Sequence, residues 1–411
     1  MLESTVVMRI TKNERSYDKR KKYLLDELTS LYYSLEDNPS NVKQNIQIFS
    51  SEAPDKTNFK FLESEVINER VTSFIFRNET DTDILNIGFF GLSESEMKKL
   101  DEAFQKDELF LYASRGSYNL NLYLQTLCNL EIAPIQTANP KEIHDKILYP
   151  SDDEVIFEDI IYFFGDFYFL TLNLSLVDCT KLENEISRIS SYVFIKSNIL
   201  ISLPFNEGIL DSLLELTKEL IYINYYHLLE GIVSPTWGDS FFKFYKIIES
   251  LYPIYYYRKL YSDISPASKN IVYLSYLLEK SVKIKPNEED SIKKAFEFYG
   301  ENNSLSQEFF KIFNVSNSSY PSLAKQVYHL RNSYVHGRWI FDPRNIEIIP
   351  NNGEVSFEDS RSTAATTKVY RNISKKDWQI IVSEMLTMII CFLNDAIENE
   401  FIEKVIAIEV K

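Results

Sequence analysis

The chain has 411 residues, 45% hydrophobic and 25% charged, with 27 Tyr, 28 Phe and a formal net charge of −16 at pH 7. Such a length is too great for one small module and supports two or three domains of about 150 residues each, in an ordinary globular composition whose aromatic rings supply much of the apolar area. Net acidity excludes a protein that coats nucleic acid by general neutralisation of phosphates, so any RNA contact has to be a local patch.

Cys128, Cys179 and Cys391 are too scattered, and odd in number, to form a disulfide framework or a spaced zinc site, and a reducing cytoplasm fits best. The cluster Arg9, Lys12, Arg15 and Lys19 to Lys22 breaks any secretory segment and is read as a solvated helix face before an RNA or partner patch. The two most apolar stretches, Val155 to Val177 and Met385 to Leu393, are interrupted or too short to cross a bilayer, so both are assigned to cores and no membrane contact is expected.

In chain order, Val6 to Ile10, Ile46 to Phe49, Ser73 to Phe76 and Ile84 to Phe90 are strand-like. Ser93-Glu94-Ser95-Glu96 is an N-cap with acids in the first turn of a helix from Met97 to Phe104. Two hairpins are expected, one around Gly165-Asp166 and one around Lys196-Ser197-Asn198. The first domain, 1–203, is therefore mixed α/β, and the whole chain is α+β.

From Pro204 onward the pattern is helical, which gives a second domain over 204–411. Leu210 to Leu229, Ser240 to Tyr252 (stopped or kinked by Pro253), Ser268 to Lys280, Glu288 to Tyr299 (closed by Gly300) and Ser306 to Phe313 are predicted helices. A small β-hairpin excursion is expected over Ile346 to Phe357, around Asn352-Gly353. A last helix runs from Lys375 to about Glu400, with Trp378, Ile381, Met385, Met388 and Phe392 inward.

Between these lies Pro321 to Gly337, PSLAKQVYHLRNSYVHG, which reads as one helix with Pro321 at its first position and Gly337 just past its end. Leu323, Val327, Leu330 and Tyr334 form an apolar stripe, and Lys325, His329, Asn332 and His336 line the opposite face. His336 falls in the last turn, where the helix dipole favours a protonated imidazole. Arg331 lies on the flank of that surface, about 140° round from His336.

Arg331-Asn332-Ser333-Tyr334-Val335-His336, followed by Gly337, has the Arg-polar-x-x-x-His form that marks HEPN-domain ribonucleases. Upstream, FFKFYKIIESL, Phe241 to Leu251, resembles the aromatic, Glu-bearing helix of the Apea-like HEPN branch, so the resemblance covers roughly the last 200 residues and none of the first half. It implies an all-α HEPN-like bundle and metal-independent RNA cleavage in a groove between two such domains. Carried over residue by residue, it makes Arg331, His336 and Asn332 the catalytic set. Their chemistry suits attack of a ribose 2′-OH on phosphorus: His336 moves protons near neutrality, Arg331 carries the charge of the phosphorane, and Asn332 orients either.

Lys325, His329 and Arg338 are the expected substrate contacts. Glu249 is either a buried partner for Arg331 or a solvated residue. No cofactor and no metal is expected, since His144-Asp145 lacks a third ligand at useful spacing and no P-loop, dinucleotide fingerprint or nucleophile elbow is present. The expectation is a cytoplasmic, homodimeric endoribonuclease, of the kind found in toxin and antiviral defence systems. Its N-terminal domain would receive a trigger ligand or regulatory protein. The alternative is a non-catalytic HEPN adaptor that dimerises or binds a nucleotide or partner. The plainest reading of the pair is a capping histidine beside a surface arginine.

Overall fold

In the computed structural model, which describes residues 47–49, 59–79, 84–105, 107–132, 154–218, 223–263, 287–316, 319–335, 347–348, 355–357, 367–368 and 373–398, the chain divides into two units, Met1–Ile199 and Leu200–Lys411. The first contains β1 (Gln47–Phe49), β2 (Phe59–Val66), β3 (Thr72–Asn78), β4 (Leu85–Phe90), α1 (Glu94–Ala103), β5 (Phe110–Arg115), α2 (Leu120–Asn129), β6 (Glu154–Ile156), α3 (Phe157–Phe164), β7 (Phe167–Leu172) and α4 (Leu182–Ser197). Five strands form an antiparallel sheet in the order β2-β3-β4-β7-β5, while β1 and β6 make a separate parallel pair.

Both faces of that sheet are covered, which the residues of β3 require. Successive side chains on a strand point to opposite faces, and Phe74, Ile75 and Phe76 are all buried. Phe74 and Phe76 join Phe90 and Phe167 in one core with Leu120, Tyr123, Leu124 and Leu127 of α2 and Ile160, Phe163 and Phe164 of α3. On the other face, Phe89 meets Phe194 of α4 with ring centroids 5.4 Å apart. Gly88 pairs directly with Phe74, and a Cβ there would lie 2.2 Å from the ring, so the cross-strand position has to be glycine.

The reading α+β is correct for this unit, and the capping box at Ser93 and Glu96 is present. Both expected hairpins are wrong. Phe157–Phe164 is a helix ended by Gly165 at φ +83°, and only Phe167–Leu172 is a strand. Leu182–Ser197 is one helix ended by Asn198 in the left-handed conformation, φ 49° and ψ 51°. In each case the turn residue is a helix stop, because short apolar runs have no period that separates strand from buried helix. Val6 to Ile10 and His144 lie outside the described residues.

The second unit comprises α5 (Glu207–Lys218), α6 (Tyr225–Val233), α7 (Trp237–Asp263), α8 (Glu288–Asn302), α9 (Gln307–Ile312), α10 (Tyr320–Val335) and α11 (Lys375–Glu398), with short strands β8 (Glu347–Ile348), β9 (Val355–Phe357) and β10 (Thr367–Lys368). The strands β8 and β9 pair antiparallel, and β10 adds a third to what was expected as a hairpin. α7 packs against α6, α8 and α11, and α8 against α10. The core combines Phe241, Phe244, Tyr245 and Ile248 of α7 with Ile292 and Phe296 of α8, Leu323, Val327 and Leu330 of α10, and Ile381, Met385, Met388 and Phe392 of α11.

Three helix limits differ from expectation. The predicted helix from Leu210 to Leu229 is two helices, Pro253 does not stop α7, which runs on beyond Tyr252, and Gly300 sits inside α8. At Gly300 the glycine answers a packing demand, since a Cβ there would stand 2.6 Å from the Tyr320 ring. Ser268 to Lys280 lies outside the described residues. α11 is, among the described residues, the one helix long and apolar enough to cross a membrane, longer than the Met385 to Leu393 run suggested, and half of its most apolar window is buried in the fold.

Candidate active site

Arg331 is the best-defined member of the expected site, and most of its side chain is covered. Leu323, Val327 and Leu330 bury one stripe of α10, and Arg331 follows Leu330 toward α7 and α8 with 12% of its side chain exposed. Its Nη2 lies 3.4 Å from Glu288 Oε1 at the start of α8 and 3.8 Å from Glu249 Oε1 on α7. Nη1 donates to Asn332 Oδ1 at 2.8 Å, the guanidinium carbon sits 5.6 Å from the centroid of Tyr245, and Nε is buried with no hydrogen-bond partner among the described residues. Arg331 thus stands next to the core stripe, on the flank of the polar face, with most of its side chain covered.

The surrounding groups form a connected set. Glu249, 28% exposed, accepts from Lys246 Nζ at 2.5 Å and stands 3.8 Å from Arg331, so it is neither a buried partner nor a lone solvated acid. Tyr252 donates to the Tyr245 hydroxyl at 2.9 Å, and Tyr245 donates to Glu288 Oε1 at 3.4 Å. Burial raises the pKa of both phenols, with the neighbouring carboxylates adding to the effect, so they remain donors at any working pH. Arg331 and Lys246 against Glu249 and Glu288 make the cluster formally neutral.

On the outer side of α10, Lys325 is exposed and His329 half-buried. The His329 pKa is lowered, first by burial and then by Lys325, while Glu289 opposes the shift. Glu289 itself pairs with Lys293 at 2.9 Å. Tyr334 does not belong to the buried stripe: it is 38% exposed, and its hydroxyl donates to Asp239 in the first turn of α7. His336, Gly337 and Arg338 lie outside the described residues, as does the cluster from Arg9 to Lys22.

Sequence reasoning missed Tyr245, Tyr252, Glu288 and Asp239. Tyr245 and Glu249 are four residues apart on one helix and could have been paired by spacing. Glu288 could not, since only the packing of α8 brings it to Arg331. Among the described residues no three His, Cys, Asp or Glu side chains converge as a metal set. The comparisons with protein-family models, curated proteins and solved structures find no match for the chain.

Proposed function

We propose that the second unit is a metal-independent endoribonuclease of HEPN type, acting as a homodimer, with Arg331 as its electrostatic element and His336 as its proton-transfer group. The carrying observation is the placement of Arg331, whose side chain is covered to 12% exposure, laid over Tyr245, bound to Asn332 and faced by two carboxylates. A surface arginine beside a helix cap has no need of such an arrangement, whereas a guanidinium that must meet a phosphate in one orientation does. In the reaction the 2′-oxygen of a ribose bonds to the adjacent phosphorus and the bond to the 5′-oxygen breaks. The 2′-OH proton passes to a base, and the leaving oxygen takes a proton from an acid, giving a 2′,3′-cyclic phosphate and a 5′-OH. His336 from each of two subunits supplies the base and the acid, and Arg331 offsets the charge on the phosphorane. Lys325, His329 and Arg338 extend the phosphate contact, and the first unit receives the trigger or regulatory partner of a toxin or defence effector.

The formal neutrality of the Arg331 cluster favours a second reading, a non-catalytic module that binds a nucleotide or protein partner. Incubation of the purified protein with labelled RNA in EDTA separates them. Cleavage with cyclic phosphate ends supports the nuclease, and intact RNA with retained nucleotide binding supports the module.

A further inference from the structure

Tyr334 is one of three exposed large apolar side chains among the described residues of the second unit, with Tyr226 and Val335, yet it is held from three sides. Its hydroxyl donates to Asp239 Oδ1, while Asp239 Oδ2 accepts from Thr236 Oγ1 at 2.5 Å and the Asp239 N–H donates back to Thr236 Oγ1 at 3.2 Å. Its ring lies against the backbone of Gly238, where a Cβ would meet Tyr334 Cε2 at 2.7 Å, and against Phe242 with centroids 6.1 Å apart. Burial, followed by the bond to Asp239, raises the pKa of the phenol, so the donor persists at any working pH.

Arg331 and Tyr334 are three residues apart on α10, so both face α7, and they touch it at different heights. Tyr334 meets Gly238, Asp239 and Phe242, and Arg331 meets Tyr245 and Glu249 further along. The two helices therefore run antiparallel, and these contacts hold the C-terminal half of α10 on α7 beside its main packing against α8. The Tyr334 contact is a hydrogen bond to Asp239, which is itself held by Thr236 at the start of α7. The Arg331 ion pairs, at 3.4 and 3.8 Å, are too long to set position by themselves.

We propose that Tyr334, latched to Asp239 and seated on Gly238, is a positioning residue that sets where the last turns of α10 hold Arg331. The catalytic consequence rests on the ribonuclease reading; the latch itself does not. Two variants disturb it from opposite helices: Tyr334→Phe removes the hydroxyl and keeps the ring, and Gly238→Ala displaces the ring and keeps the hydroxyl.

The experiment labels arginines of the full-length wild type and both variants with phenylglyoxal, follows each site by peptide mass mapping, and measures kcat and KM for RNA cleavage on the same samples. Arg70, 49% exposed and in the other unit, is the internal reference. The expected result is severalfold faster modification of Arg331 with Arg70 unchanged, and a kcat lower by about tenfold at little-changed KM, the signature of misplacement rather than lost binding. Unchanged labelling of Arg331 in both variants overturns the latch whatever the activity. Faster labelling in a protein whose wild type leaves RNA intact supports the latch and overturns the ribonuclease reading. Faster labelling with kcat at the wild-type level overturns the catalytic consequence.

Discussion

Removing Arg331 leaves more behind than removing a surface arginine would. Glu249 and Glu288, 28% and 29% exposed, would both lose the cation they share. Arg331→Ala is therefore expected to destabilise the protein by roughly 1–3 kcal/mol, between the values for exposed and buried pairs, as well as to abolish cleavage. Urea unfolding of wild type and variant checks the first part, and a stability equal to wild type contradicts the ion-pair geometry. The sequence alone placed Arg331 on the flank of a polar helix surface and gave no sign of these two carboxylates together. His329 supplies a pH prediction. Its folded pKa is lowered from the usual 6.5 by burial and Lys325, so as pH falls below that value the unfolded chain binds a proton that the folded chain does not. Stability is complete above about pH 6.5 and declines as pH falls, levelling once the folded imidazole is protonated. His329→Gln should flatten that part of the curve in urea midpoints measured from pH 7.5 to 5; an unaltered slope contradicts it.

At the scale of elements, Leu330 carries the buried stripe of α10 at 3% exposure, and Leu330→Ala is expected to cost about 2–5 kcal/mol through the cavity it opens. Activity should be lost only as the unit melts. Alanine in an open helix stabilises by about 1 kcal/mol over glycine. At Gly300 the Tyr320 ring occupies the needed space, so Gly300→Ala should lower the thermal midpoint, and a higher one would show that the ring moves freely. The stripe Leu323, Val327, Leu330 was legible because a helix buried on one side must repeat its apolar residues at helical spacing. Capping at Ser93 was legible for a local reason too, since the signal lies within four residues. The turn at Gly165 and the stop at Asn198 were not. A left-handed residue ends a helix or turns a hairpin equally well, and only the core around α3 and α4 decides. The site divides along the same line. Arg331 and Glu249 were legible from a motif and a helix face, whereas Glu288 and Asp239 reach α10 through tertiary packing that no spacing encodes.

At the scale of the whole molecule, a net charge of −16 sets the terms on which RNA can be bound. Pairing the motif helices about a two-fold axis would bring two copies of Arg331, Lys325 and Arg338 together and supply both proton-transfer roles, while the remaining surface repels other polyanions. Inactive His336→Ala subunits allowed to exchange with wild type should then depress activity beyond simple dilution, and activity strictly proportional to wild-type concentration contradicts a shared groove. Most direct for the central claim is the chemistry of the cut ends. Full-length wild type, Arg331→Ala and His336→Ala are each incubated with labelled RNA in EDTA and the product termini identified. The account predicts 2′,3′-cyclic phosphate and 5′-hydroxyl ends from wild type and uncut RNA from both variants. Intact RNA with wild type, 3′-hydroxyl ends, or equal cleavage by all three proteins would contradict it.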